Sequence, residues 1–63
     1  MRTIDFLENT AKRMPDHDIA HSGIMVCYGS YSGQFTYWRT HVGGSLTRLD
    51  RDTAATEFQQ NQK

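Results

Sequence analysis

The sequence predicts a small α+β domain, a two-layer sandwich in which helices cover one face of a three-stranded antiparallel sheet. Three observations predict it. Apolar residues recur at helical spacing near the start. Two runs rich in β-branched and aromatic residues then flank a glycine- and serine-rich turn. A final segment with a capping aspartate reads as a second helix. Helices on one face of a small antiparallel sheet is the packing such an order of elements favours.

The first helix is read over 4–14. Ile4, Leu7, Ala11 and Met14 fall on one helical face. Thr3 stands where a hydroxyl accepts from a free first-turn N–H. Asp5 and Glu8 near the start, and Lys12 and Arg13 near the end, match the helix dipole. Glu8 and Lys12 form an i,i+4 pair in the favourable order. Pro15 disfavours a helical conformation at Met14 and ends the element.

Residues 16–23 are short and polar and read as a connection, with Ile19 and Ala20 tucked under the sheet. Ile24 to Tyr28 is an unbroken apolar run of strand length, the pattern of a central strand covered on both faces. Gly29 to Gly33 forms a turn. Residues 34–42 supply the second strand, rich in Phe, Thr, Tyr, Trp and Val. The two runs pair as a hairpin through a turn of two, four or five residues, and this length decides whether Trp38 joins the core. Gly43-Gly44 breaks the strand, and 45–49 forms a short third one. Asp52 then caps a last helix over 53–60 that buries Ala54, Ala55 and Phe58.

Composition excludes several classes. The chain has 63 residues, enough for one domain. No apolar run nears the roughly 20 residues of a membrane-spanning helix, and Met1 to Asp5 lacks the apolar core of a signal peptide. The single cysteine cannot form an internal disulfide. These features point to a cytoplasmic chain with no membrane partner. Seven basic and seven acidic side chains give no net charge and no general pull toward nucleic acid or acidic lipid. A domain this small buries only about 60% of its unfolded surface, so a homodimer is a reasonable expectation.

Four constellations could carry chemistry. His17, His21 and His41, with Cys27, are zinc-ligand types without the spacing of a zinc site, and no metal or other cofactor is expected. Tyr37, Trp38, Arg39 and Arg48 combine aromatics with the only charges between residues 19 and 49, as in surfaces that stack single-stranded bases. Two arginines are few for phosphate-driven affinity. Cys27 sits in an apolar strand, and Ser30 and Ser32 lack a neighbouring base, so no catalytic residue is assigned and no enzyme activity is expected. Tyr31, Tyr37, Trp38 and Arg39 are the residue types of interface hot spots on a rigid hairpin. The expected function is therefore a non-enzymatic interaction or regulatory protein docking through this hairpin or a sheet edge. The alternative is a small nucleic-acid-binding regulator. In size such a chain fits an accessory or inhibitor protein of a phage or mobile element, an impression with no motif behind it.

Overall fold

The computed structural model describes residues 2–62. Helix α1 (Ile4–Arg13) leads into strands β1 (Asp18–His21), β2 (Ile24–Tyr28), β3 (Phe35–Thr40) and β4 (Leu46–Leu49), and helix α2 (Arg51–Gln60) closes the fold. The strands form one antiparallel sheet in the order β1-β2-β3-β4. The architecture is the expected α+β, with four strands in place of three.

The additional strand is β1, formed by part of the 16–23 segment in place of the expected connection. Its hairpin with β2 turns on Ser22 and Gly23, both at positive φ, 54° and 77°. Two left-handed residues match the twist of the flanking strands. Asp18 to His21 then pair with Cys27 to Ile24. Ile19 faces the helices and Ala20 faces away, so the two do not tuck under the sheet together.

The β2–β3 hairpin settles its register. Met25 lies opposite Trp38, and Val26 opposite Tyr37. Gly29 N–H donates to the Gln34 carbonyl at 2.9 Å, closing a four-residue turn over 30–33. His21 lies opposite Ile24.

Strand alternation sorts side chains into two faces. Ile24, Val26 and Tyr37 point toward the helices and join Ile4, Leu7, Ala11, Ala54 and Phe58 in the core. Ile19, Phe35 and Leu49 pack at its margin. Met14, the C-cap of α1, is exposed rather than core, because the helix ends before its side chain turns inward. Thr3 occupies the N-cap without a side-chain cap, and its hydroxyl lies 3.5 Å from the Asp5 carboxylate.

Helix α2 begins two residues earlier than expected. Asp50, not Asp52, caps it, accepting from the Thr53 N–H at 2.7 Å. Strand β4 ends at Leu49 and passes directly into the helix, so the cap falls at the first free residue. Asn61 at the other end donates to the Ser22 carbonyl at 2.8 Å, tying α2 to the β1–β2 turn. No helix among the described residues is long and apolar enough to cross a membrane.

Candidate functional site

Among the described residues, none forms a second layer on the face of the sheet away from both helices. Its central row runs Ala20, Met25, Trp38, Arg48 across all four strands. One row along lie Asp18, Cys27 and Thr36, and on the other side Thr40 and Leu46. Trp38 is at the centre and half-buried, with the Arg48 guanidinium 5.4 Å from its ring centroid. That distance is a cation–π contact. Leu46 is 46% exposed, and Val42, in the following turn, is fully exposed.

This surface explains the composition of β2. A strand apolar at every position is normally covered on both sides. Here Ile24 and Val26 are buried under the helices, whereas Met25 and Cys27 are half-buried on a face the chain leaves uncovered. Cys27 also bears on the chemistry available. Burial pushes its thiol pKa up, and the Asp18 carboxylate beside it pushes further. The group is therefore a thiol at neutral pH.

The residues expected to form one binding surface are separated by strand periodicity. Trp38 faces outward, so Tyr37 and Arg39 on either side must face the helices. Tyr37 is buried, and its hydroxyl donates to the Glu8 carboxylate. Arg51 Nε and Nη2 donate to the same carboxylate at 2.8 and 3.2 Å. Arg51 holds the Glu8 carboxyl below its ordinary range against the opposing effect of burial. Burial and the Glu8 charge together raise the Tyr37 pKa far above that of an exposed tyrosine. This cluster ties α1, β3 and α2 together. It also replaces the expected Glu8–Lys12 pair. Arg39 makes a two-pronged ion pair with Glu57 of α2, its Nε at 2.8 Å from Oε1. Tyr37 and Arg39 therefore lie on the helix side of the sheet, apart from Trp38 and Arg48 on the open face. Tyr31 stands at the hairpin tip, fully exposed.

The three histidines go separate ways. His17 Nδ1 lies 3.0 Å from the Pro15 carbonyl. His21 packs between the rings of Phe6 and Phe58. His41 Nε2 is 2.7 Å from the Thr47 hydroxyl. Among the described residues no group of three or more His, Cys, Asp or Glu is placed to hold a metal ion.

Sequence reasoning missed Met25, Cys27 and Leu46 as surface residues. The signal for the first two was the apolar run itself, once only one of its faces could be covered by two short helices. In comparisons with known proteins, no family model matches the chain, and no curated protein or solved structure matches it significantly.

Proposed function

We propose that this chain is a non-enzymatic interaction protein that docks on another polypeptide through the open face of its sheet, with Trp38 as the anchor. The observation that carries this reading is the uncovered row Met25–Trp38–Arg48, which includes β2, a strand whose unbroken apolar run calls for cover on both sides. Tryptophan and arginine are the residues that most often dominate interface energy, and they do so from the centre of a patch. Trp38 has that position, with Met25, Leu46 and Ala20 as an apolar surround and Thr36, Thr40 and Asp18 at the rim. On the helix side, Tyr37 and Arg39 are engaged by Glu8 and Glu57 of the same chain.

The experiment is capture of partners by immobilised chain, comparing wild type with Trp38→Ala and Tyr31→Ala. Capture is expected to fall at least tenfold for Trp38→Ala and by much less for Tyr31→Ala, with circular dichroism unchanged. Equal capture by wild type and Trp38→Ala contradicts the reading. Quenching of Trp38 by single-stranded DNA that collapses as salt rises moves the function to nucleic-acid binding instead.

A further inference from the structure

We infer that the occupant of the open face is a second copy of this chain, packed sheet to sheet about a two-fold axis parallel to the strands. The inference rests on the docking reading above and names its partner. Three observations support it.

The first is charge. Among the described strand residues the open face carries two charged side chains, Asp18 on β1 and Arg48 on β4, at opposite edges of the sheet. A two-fold axis along the strands, midway between β2 and β3, lays β1 of one copy over β4 of the other. Arg48 then meets Ala20 of the second copy, with Asp18 of that copy one row away, about 7 Å along its strand. That offset is within reach of a long arginine side chain, and the pair forms twice. A two-fold axis across the strands instead lays β4 over β4 and sets Arg48 against its own copy. Charge therefore selects the first axis.

The second is apolar matching. The same operation sets Trp38 on β3 over Met25 on the other copy's β2, twice, and Cys27 over Thr36. A large ring meets a flexible thioether that fills irregular gaps. Nearly aligned strands in two sheets stacked about 10 Å apart are the ordinary geometry of a β-sandwich.

The third is size. The molecule measures 33 by 26 Å across and 17 Å through. A 63-residue chain, which alone leaves about 40% of its unfolded surface in water, gains a second layer of core by this pairing.

The test is sedimentation equilibrium over a wide concentration range, on wild type and charge-exchanged chains. Wild type is expected to be a dimer. Arg48→Asp and Asp18→Arg, each setting like charges together twice, are expected to weaken the dimer about fivefold or more. Combining the two exchanges in one chain is expected to restore it. Trp38→Ala is expected to weaken association on the order of thirtyfold. The charge exchanges lie on the surface, so they keep the test decisive even where Trp38→Ala impairs folding. A monomer at every concentration overturns the inference, as does a dimer that ignores both single exchanges or a double exchange no better than the singles. A monomer that loses its captured partners on Trp38→Ala overturns the dimer and leaves the docking reading in place. A dimer indifferent to Trp38 overturns both.

Discussion

Replacing Glu8 with Ala removes the acceptor at the centre of the cluster that joins the two helices to the sheet. Its cost can be worked from the contacts. The buried Tyr37 hydroxyl donates to the Glu8 carboxylate, and a hydrogen bond to a charged group contributes about 1.5–3 kcal/mol. Arg51 donates to the same carboxylate, but its side chain is 49% exposed and keeps water as a substitute, so it adds at most about 1 kcal/mol. The expected loss is about 3 kcal/mol. A domain of this length has a total stability of about 3–9 kcal/mol, so Glu8→Ala removes a third or more. Tyr37→Phe should cost less, about 1 kcal/mol, because Glu8 keeps Arg51. The two changes share one bond, so the double variant should be less destabilised than the sum by about 1 kcal/mol or more. Urea unfolding followed by circular dichroism measures all three. The cluster also carries a pH dependence. Arg51 lowers the folded pKa of Glu8 below its ordinary value, so the unfolded chain takes up the proton first as pH falls. The contribution is complete above the unfolded pKa, near 4.3, and is lost as pH drops through the folded one. Glu8→Gln should flatten that acid arm. A Glu8→Ala loss under about 1 kcal/mol, or full additivity with Tyr37→Phe, refutes the account of the cluster.

Two further substitutions probe other parts of the fold. Phe58 is fully buried against His21 and the core, and Phe58→Ala should cost about 3–5 kcal/mol, leaving much of the chain unfolded by near-ultraviolet circular dichroism. Gly23 has φ +77°, and an added Cβ would sit 3.2 Å from Asn61 Nδ2, so Gly23→Ala should cost about 1–2 kcal/mol. Hydrogen exchange in that variant should rise first at β1, whose only sheet neighbour is β2.

What the sequence revealed depended on the physical range of each signal. The α1 stripe of Ile4, Leu7 and Ala11 was legible because helical spacing is local and Pro15 ends it. The hairpin was legible from its composition. Strand β1 was not, because four residues with half-buried, half-exposed alternation resemble a polar loop. Its real marker was Ser22-Gly23, a turn whose backbone demands positive φ. The cap of α2 was misplaced because Asp50 and Asp52 are chemically equal, and only the end of β4 decides between them. Within the site, Trp38 and Arg48 were both legible as candidates. Grouping Tyr37 and Arg39 with Trp38 ignored the period of two, which puts neighbours on opposite faces. That Glu8 and Glu57 would occupy Tyr37 and Arg39 depends on helix placement, which no local pattern in the chain encodes.

Acrylamide quenching of Trp38, the single tryptophan, measured as protein concentration rises, tests the central claim most directly. Trp38 lies at the middle of the open face, so covering that face must shield it. The account predicts that quenching is strong in dilute protein, falls as the second copy covers the ring, and stays strong at all concentrations in Arg48→Asp. Equal quenching of the wild type at every concentration, in the same range where sedimentation shows association, would place the interface elsewhere and contradict the account.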